Sequence, residues 1–530
     1  MRFEAKRFAF GSVATPHYLA SAVGLGVLAD GGNAIDAIIA ANLALGVVAP
    51  YLCGYGGDLF AIVWDGRSAD AAPLGYRSAG RAPAAATVDA VRATSGSQTM
   101  PVVGPHSVTV PGAVHGWFEL LERFGTRSFS ELCEPALRYA AEGFPLTRKG
   151  AGHFAGARAM YEYFGRESGL GGVFDDLNQC YLGAVEGARL CQPGLARTIA
   201  TLRDDGPDAY YRGPIGAAIA TTLQRHGGLM VEADIAAHTS AWVDPIHAPF
   251  GDIEVYELPP PTQGVTALEA LRLLDGFDLP PDGTDREHLM IEAVKIALAD
   301  RDAHVTDPDA MTIDASALLT DDWIARRRDA IDPKRAATLP RQPGPDGGTA
   351  YLCASDNDGL LVSLIQSNFS GIGSGVHVAD WGINLQNRGS SFSLDPAHVN
   401  AIAPGKLPMH TLVPTLSLRN GKPWLVFGTM GGQGQIQTHA QVLTRIVVDG
   451  DDPQAAINAP RWMVDPDSWR VAIEPRFGSE LLDDLRDRGH DLRVTGEYDG
   501  TMGHAHAIEL TPSGYLCATD PRAEGAVLGL

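Results

Sequence analysis

The sequence predicts a mixed α/β fold, and three patterns along the chain support this prediction. Apolar residues recur at helical spacing over residues 17–29 and again from 35 to 46. The middle of the chain, from about 112 to 330, carries mostly helical patterns. After residue 350 the pattern changes to short alternating strands separated by turn residues. A strand-rich last third is therefore expected to follow a helix-rich first two-thirds.

The first elements have clear starts and stops. The helix over 17–29 ends at Asp30-Gly31-Gly32, which is a typical C-terminal breaker. Asn33 is a suitable N-cap for a second helix, which stops before Pro50. The run LFAIVW at 59–64, followed by DGR, predicts a strand that enters a turn. These elements indicate a sheet with helices packed on it.

The last third begins with a predicted hairpin. The runs AYLCAS and LLVSLIQS flank the turn at 356–359, and RNGKP at 419–423 predicts a second turn of the same kind. Before the hairpin, the segment LPRQPGPDGG at 339–348 has the proline and glycine content of an exposed linker. We therefore predict a boundary at this segment.

Composition and charge exclude several classes of function. The chain has 530 residues and a formal net charge of -22, so its surface repels nucleic acid and anionic membranes alike. The six cysteines show no CxxC or CxxH spacing, which indicates neither a zinc site nor a disulfide framework. The opening MRFEAKRFAFGS lacks the apolar core of a secretory signal, and we expect a cytoplasmic location. The uncharged run 37–57 contains Pro50 and four glycines, so it predicts a buried helix and a loop rather than a membrane span.

Thr349 stands directly after Gly347-Gly348 and directly before the predicted hairpin. A threonine hydroxyl is a weak nucleophile unless a base lies beside it, and a threonine at a chain's own N-terminus carries that base as its free α-amine. Attack of this hydroxyl on the Gly348 carbonyl would break the chain and create such a terminus. Gly348 has no side chain to crowd the attack and permits unusual backbone angles. On spacing alone, the same stretch is also compatible with a plain turn into a strand.

The chain resembles the gamma-glutamyltransferase family of N-terminal-nucleophile hydrolases, whose precursor cuts itself before a threonine. The resemblance runs along nearly the whole chain. It rests on ordered motifs that include ASAVGLGVLADGGNAIDAIIAANLAL, GYGGDLF, VPGAVHGW, PPPTQG, GIGSGV, GINLQN, PMHTLVPTL, GTMGGQGQ, NAPR and ATDPRAEGA.

The resemblance implies a four-layer α/β/β/α sandwich built from two pieces that share one core. These pieces are a helix-rich large subunit, 1–348, and a strand-rich small subunit, 349–530, separated by autocleavage between Gly348 and Thr349. Thr349 is then the nucleophile, and Ser367 orients it. Gly431 and Gly432 supply the backbone N–H groups of an oxyanion hole, where loss of one donor typically lowers the rate by about 10² to 10³.

For substrate binding, the resemblance points to an arginine before an Ala-Pro pair, which is either Arg77 or Arg81, with Arg81 preferred. Other positions depart from the family pattern. The acid that pairs a glutamyl α-amine is absent after GINLQN, where Arg388-Gly389-Ser390-Ser391 stand. A serine pair is replaced by His410-Thr411, and an asparagine position falls on Phe369, with Asn368 shifted by one. Arg388 is expected either to contact the substrate or to form a surface ion pair.

These departures favour a self-processing amidohydrolase that acts on a small amide, with a gamma-glutamyl-like or small carboxylate-bearing acyl group. A true gamma-glutamyl transpeptidase, an oxamate-type amide hydrolase and an unprocessed non-catalytic relative are the alternatives. The expected partners are the amide substrate and the two fragments of the precursor. No cofactor is expected, because GIGSG and GGQG lack the dinucleotide-binding context. No metal is expected either, since His504-x-His506 has no carboxylate or third ligand nearby in the sequence.

Overall fold

Two large antiparallel sheets organise the part of the chain that the computed structural model describes, namely residues 3–280, 282–338 and 348–530 without the Leu182 side chain. The strands of these residues are, in chain order, β1 (Lys6–Phe8), β2 (Ser12–Thr15), β3 (Asp58–Asp65), β4 (Leu74–Ser78), β5 (Phe144–Pro145), β6 (Arg189–Leu190), β7 (Ala241–Val243), β8 (Ile246–Phe250), β9 (Ile253–Glu257), β10 (Gly348–Ser355), β11 (Leu360–Phe369), β12 (His377–Val378), β13 (Ile383–Asn384), β14 (Thr415–Arg419), β15 (Lys422–Thr429), β16 (Trp462–Val464), β17 (Val471–Ile473), β18 (Leu492–Val494), β19 (Ala505–Thr511), β20 (Gly514–Thr519) and β21 (Ala526–Gly529).

The α-helices of the same residues lie mostly before β10. They are α1 (Tyr18–Ala29), α2 (Ala34–Val48), α3 (Val88–Ser95), α4 (Ala113–Phe124), α5 (Phe129–Leu132), α6 (Glu134–Glu142), α7 (Arg148–Ser168), α8 (Asp175–Leu177), α9 (Pro193–Asp205), α10 (Asp208–Tyr211), α11 (Pro214–Arg225), α12 (Glu232–Ala236), α13 (Gly264–Asp275), α14 (Thr284–His304), α15 (Asp321–Arg328), α16 (Gln435–Thr444), α17 (Pro453–Asn458) and α18 (Ser479–Asp487).

The two large sheets stack face to face. Sheet I has the strand order β21-β2-β10-β11-β3-β4-β7, and sheet II has the order β1-β20-β19-β15-β14-β9-β8. Buried side chains of both sheets, such as Phe60, Tyr351, Leu416 and Ile508, form the core between them. Helices α1 and α2 cover the outer face of sheet I, while α13, α14 and α16 cover that of sheet II. The predicted four-layer α/β/β/α sandwich is therefore confirmed.

Local sequence signals set several of these elements. The Asn33 side chain accepts a hydrogen bond from the Asp36 N–H, and the Asp36 carboxylate accepts one from the Asn33 N–H, so α2 begins with a capping box. Residues 37–57 form most of α2 and the loop after it, and none of the described helices is long and apolar enough to cross a membrane. Asn420 and Gly421 both have positive φ, 54° and 72°, as the tight turn between β14 and β15 requires.

The predicted boundary does not divide the structure into separate bodies. Strands β10 and β11, which follow Gly348, lie between β2 and β3 in sheet I. Sheet II likewise mixes strands from before and after this point. Of the predicted linker 339–348, residues 339–347 lie outside the described residues. The hydrophobic core between the two sheets thus contains side chains from both sides of Gly348.

Candidate active site

Thr349 lies near the start of β10, in the middle of sheet I, and is fully buried. Strand β10 pairs with β11, and the register shifts between the pairs Gly348 with Phe369 and Ala350 with Gln366. Over this interval β10 advances by two residues and β11 by three, so the extra residue belongs to β11. Bulges of this kind redirect side chains and are frequent beside active sites.

Three polar groups meet at this bulge. The Ser367 hydroxyl donates to the Gly348 carbonyl oxygen at 2.7 Å, and it accepts a hydrogen bond from the Phe369 N–H at 2.7 Å. Thr349 Oγ1 lies 3.1 Å from Ser367 Oγ. Because a serine hydroxyl has a single hydrogen, and Gly348 accepts it, the Thr349 hydroxyl is the donor in this contact. Ser367 therefore links the threonine hydroxyl to the carbonyl group of the preceding residue.

The turn from β15 to α16 presents two backbone N–H groups. The Met430 carbonyl accepts from Thr429 Oγ1 at 2.8 Å, and the Gly431 carbonyl accepts from the Gly434 N–H at 2.8 Å. The Met430 carbonyl shares a peptide unit with the Gly431 N–H, and the Gly431 carbonyl shares one with the Gly432 N–H. In a trans peptide the N–H and C=O point in opposite directions, so these two N–H groups point away from the groups that bind the carbonyls. Neither N–H has a hydrogen-bond acceptor among the described residues. Gly431 has φ 134°, a conformation that favours glycine.

Gln263 and Arg301 hold this turn, and the sequence patterns above assign neither of them a role in the site. The Gln263 side chain donates to the Thr411 carbonyl at 2.9 Å and to the Gly432 carbonyl at 3.1 Å. Arg301 donates to Gln263 Oε1 at 2.8 Å and also contacts Gln433. The turn with the two N–H groups is thus tied to the segment that carries His410 and Thr411.

Arg388 is 1% exposed, so a surface ion pair is excluded as its role. Its guanidinium stacks on the Phe369 ring at 3.8 Å, and Phe369 pairs with Gly348 across the two strands. Arg388 Nη1 donates to Thr411 Oγ1 at 3.2 Å, whereas Nη2 has no hydrogen-bond partner in the described part of the chain. Arg388 therefore lies beside the Thr349 site with one donor group unused.

Asp58 and His410 complete a buried cluster with Arg388. His410 Nε2 lies 3.7 Å from Asp58 Oδ2, and within the described residues neither His410 ring nitrogen nor Asp58 Oδ2 has a hydrogen-bond partner. Burial raises the pKa of Asp58 to about 7, although the charge of Arg388 opposes this change. Burial also lowers the pKa of Arg388 to about 9. Burial and the charges of Arg388 and Arg77 hold the pKa of His410 well below its usual value, so this imidazole is neutral.

The other predicted binding residues lie in different surroundings. The Arg81 side chain is 49% exposed and pairs with Asp307 at 3.2 Å and with the Gly405 carbonyl at 2.9 Å. Arg77, the alternative left open by the motif, lies close enough to His410 for its charge to lower the pKa of that imidazole. Asn368 is buried, and its Nδ2 group lies 3.3 Å from the Pro50 carbonyl. The structure thus brings Arg388, His410 and Thr411 together and leaves Arg81 at the surface.

Two groups of histidines have the composition of a metal site. His288, Glu292 and His490 lie close together, but Lys295 Nζ donates to Glu292 at 2.8 Å and lies 3.5 Å from His490, so a cation already occupies this position. In the structure, Asp520 places a carboxylate near His504 and His506, although it is distant from them in the sequence.

Arg461 and Arg522 bind the Asp520 carboxylate at 2.8 and 3.2 Å. His506 Nδ1 lies 3.0 Å from Thr519 Oγ1. Lys295 thus occupies the first group, and in the second group two arginines already bind the Asp520 carboxylate. The proposed chemistry of Thr349 requires no cofactor.

Comparison with known proteins agrees with this geometry. The family model described as gamma-glutamyltranspeptidase matches residues 20–530. The glutathione hydrolase-like YwrD proenzyme of Bacillus subtilis is 35% identical over 528 residues, and the oxamate amidohydrolase proenzyme of Klebsiella pneumoniae is 36% identical over 535 residues, with 98% of each chain covered in both cases. The crystal structure of cephalosporin acylase from Bacillus halodurans superposes with a TM-score of 0.92 and 37% identity, covering 100% of this chain and 97% of that one. The resemblance inferred from the motifs is confirmed, and the chain belongs to the gamma-glutamyltranspeptidase family.

Proposed function

We propose that this chain cuts itself between Gly348 and Thr349 and then hydrolyses a small amide with Thr349 as the nucleophile. The contact of Ser367 with both the Thr349 hydroxyl and the Gly348 carbonyl carries this proposal. As Thr349 Oγ1 attacks the Gly348 carbonyl carbon, its proton passes to Ser367, which donates its own proton to the carbonyl oxygen. That proton moves on to the Thr349 nitrogen as the C–N bond breaks and the carbonyl group forms again. The acyl group moves from nitrogen to oxygen, and water then hydrolyses the ester.

The cut frees the α-amine of Thr349, which has a reference pKa of about 7.7 to 8.0 and is partly neutral near pH 7. This amine accepts the proton of the hydroxyl when Thr349 attacks the substrate amide, and it returns a proton to the leaving amine. The N–H groups of Gly431 and Gly432, which have no acceptor among the described residues, are suited to the oxyanion. Water then releases the acyl group.

The acyl group is proposed to carry a carboxylate. A buried guanidinium with an unused donor suits a carboxylate, because the two groups form charge-assisted hydrogen bonds. Arg388 provides this group beside Phe369, which faces Gly348 across the strands. The name of the oxamate amidohydrolase relative agrees with a small acyl group of this kind.

A gamma-glutamyl acyl group is the second candidate, and one observation favours it. The acid expected after GINLQN is absent, but Asp58 places a carboxylate 3.7 Å from His410 in the same buried cluster. This carboxylate would pair with an α-ammonium group. The name of the glutathione hydrolase-like relative agrees with this alternative.

Intact-mass analysis of the purified protein tests the proposal, because it reports whether the 530-residue chain is cut and at which bond. We expect two masses, corresponding to 1–348 and 349–530, that remain associated because each of the two large sheets contains strands from both pieces. Ammonia release from oxamate would support the first acyl candidate. Release of 4-nitroaniline from its gamma-glutamyl derivative, accelerated by a dipeptide, would support the second. An intact chain that shows no turnover would favour a non-catalytic relative and contradict the proposal.

A cytoplasmic location remains a prediction from the opening residues.

A further inference from the structure

A cysteine, a histidine and an asparagine form a linked group that the proposed function does not use. Cys180 lies in a π-helical turn, Asn178–Leu182, while His377 and Asn384 pair with each other across β12 and β13. Cys180 Sγ lies 3.3 Å from His377 Nε2, and His377 Nδ1 lies 2.6 Å from Asn384 Oδ1. The fold thus places a thiol beside an imidazole whose other nitrogen is held by an amide.

The direction of these two hydrogen bonds follows from Asn384. An amide oxygen can only accept, so His377 Nδ1 carries the hydrogen and Nε2 has a free lone pair. The Cys180 thiol is therefore the donor to Nε2. Burial lowers the pKa of His377, although the contact with Asn384 opposes this change, so the imidazole is neutral at pH 7 and can accept a proton. A nucleophile beside a base that a third group orients is the arrangement that activates nucleophiles in covalent catalysis.

The charged and titratable neighbours of this group leave the imidazole as the base for Cys180. The charge of Asp176 acts on both Cys180 and His377, but Arg225 binds the Asp176 carboxylate at 3.1 Å. The Tyr181 ring meets the His377 ring edge-on, and burial raises the pKa of Tyr181, so this phenol stays protonated. Desolvation and the charge of Asp176 raise the pKa of the Cys180 thiol. Without help from His377, Cys180 would therefore react more slowly than an ordinary thiol.

Cys180 is also accessible, and the chain contains a matched control for it. Cys180 and Cys191 are exposed, whereas the other four cysteines are buried. Of the two exposed thiols, Cys180 alone forms a hydrogen bond with an imidazole within the part of the chain that the structure describes. A comparison of Cys180 with Cys191 therefore isolates the effect of the imidazole.

We propose that Cys180 is a nucleophilic thiol that forms mixed disulfides with small disulfides from solution, with His377 as its base. The thiol proton passes to His377 Nε2 as the Cys180 sulfur attacks one sulfur of the small disulfide. The S–S bond of that disulfide breaks, and its leaving sulfur takes the proton from the imidazolium and departs as a thiol. The inference is independent of the proposed function, because Thr349 takes no part in this exchange.

The test compares two variants that each keep one exposed thiol, C191S with Cys180 and C180S with Cys191. Each protein reacts with 2,2′-dithiodipyridine, whose released thiopyridone gives the rate by absorbance. We expect C191S to react at least about tenfold faster than C180S at pH 6.5, since a positioned base typically contributes about 10²-fold or more. From pH 7.5 to 6.5 the rate should fall by less than about threefold in C191S. In C180S it should fall by about tenfold, as the thiolate fraction of an ordinary thiol does.

A second variant assigns the effect to the imidazole. H377Q in the C191S background should lower the rate at pH 6.5 by at least about tenfold, because an amide cannot take the thiol proton. His377 is buried, so circular dichroism must show that H377Q is folded. The comparison of C191S with C180S needs no change at His377 and decides the proposal even if H377Q does not fold. A rate of C191S equal to or below that of C180S at pH 6.5, or an unchanged rate in folded H377Q, would overturn the inference.

Discussion

The Thr349 site and the Arg388 cluster lie side by side, but they differ in whether their buried polar groups have hydrogen-bond partners. At Thr349, the hydroxyl groups and the Gly348 carbonyl are linked by contacts of 2.7–3.1 Å. In the Arg388 cluster, atoms of Arg388, Asp58 and His410 are buried without hydrogen-bond partners among the described residues. An unpaired buried polar group is destabilising. The polar atoms of the Thr349 site therefore find their partners within the chain, whereas those of the Arg388 cluster lack partners that the proposed acyl carboxylate would supply.

The largest effect is expected from Thr349→Ala, which removes the central group of the first site. Without the hydroxyl, neither the acyl shift nor attack on substrate can occur, so the chain should stay at its full mass. Turnover should fall by at least about 10⁴-fold, as for the loss of other catalytic nucleophiles. Intact mass and amide hydrolysis measure both results. Thr349→Ser keeps the hydroxyl and should still be processed, whereas normal processing of Thr349→Ala would falsify the nucleophile assignment.

Ser367→Ala tests whether the link between hydroxyl and carbonyl matters for cutting. Loss of the donor to the Gly348 carbonyl should slow self-cleavage by about 10²-fold, the lower range for positioned proton transfer. The time course of fragment formation on a denaturing gel measures this rate. Ser363 is a matched control on the same strand, because its hydroxyl contacts Tyr351 at 2.9 Å instead of Thr349. Equal slowing in Ser363→Ala would show that the effect is structural.

Arg388→Met tests whether the Arg388 cluster binds the acyl group of the substrate. If Arg388 holds the acyl carboxylate, KM for a carboxylate-bearing amide should rise by about 10²-fold, while self-cleavage proceeds normally. Below pH 7 the melting temperature should change little, because Asp58 is then neutral and the loss of Arg388 leaves no unpaired charge beside it. Steady-state kinetics and thermal unfolding measure the two effects. A lower melting temperature with an unchanged KM would identify Arg388 as a structural partner of Asp58.

The pH dependence of substrate binding sharpens the role of Asp58. Burial raises the pKa of this carboxyl to about 7, so below pH 7 it is neutral and Arg388 remains positive. Above pH 7 the ionised Asp58 competes with the substrate carboxylate, and KM should rise by up to about tenfold between pH 6 and pH 8. Asp58→Asn should remove this step. A step of the same size in Asp58→Asn would assign it to another group, such as the Thr349 amine.

The raised pKa of Asp58 also determines whether this residue makes folding stability rise or fall with pH. Because the pKa of Asp58 is higher in the folded chain than its ordinary value of 3.8, the folded state binds more protons than the unfolded state between pH 4 and pH 7. The contribution of Asp58 to folding stability therefore decreases as pH rises through this range. In Asp58→Asn this contribution to the pH dependence should be absent from the free energy of unfolding.

What the sequence could predict depends on how far apart the interacting residues are. The α1–α2 pair, the N-cap at Asn33 and the hairpin after Thr349 follow from neighbouring residues, so pattern and turn chemistry were sufficient for them. The Asp58–Arg388–His410 cluster joins residues up to 352 positions apart, and only the assembled sheets bring them together. Spacing before an Ala-Pro pair could not reveal that the Arg81 side chain is half exposed and pairs with Asp307.

The smallest effect is expected at Gly348, where the sequence suggested that a glycine is needed to ease the attack. In the structure Gly348 is the first residue of β10, and an added Cβ would meet carbonyl oxygens of Tyr51, Phe369 and Gly371 at 3.4, 3.5 and 3.7 Å. Contacts at these distances have a low energetic cost, so Gly348→Ala should change the rate of self-cleavage by less than about threefold.

Gly57→Ala provides the contrasting control, because there the added Cβ would collide with the Ser367 backbone carbonyl and displace the residue that links Thr349 to Gly348. Fragment formation in both variants should therefore separate a steric requirement at the cut bond from a requirement for the position of Ser367. Strong slowing in Gly348→Ala with normal cutting in Gly57→Ala would place the constraint at the bond itself and contradict the proposed role of Ser367 as the bridge between hydroxyl and carbonyl.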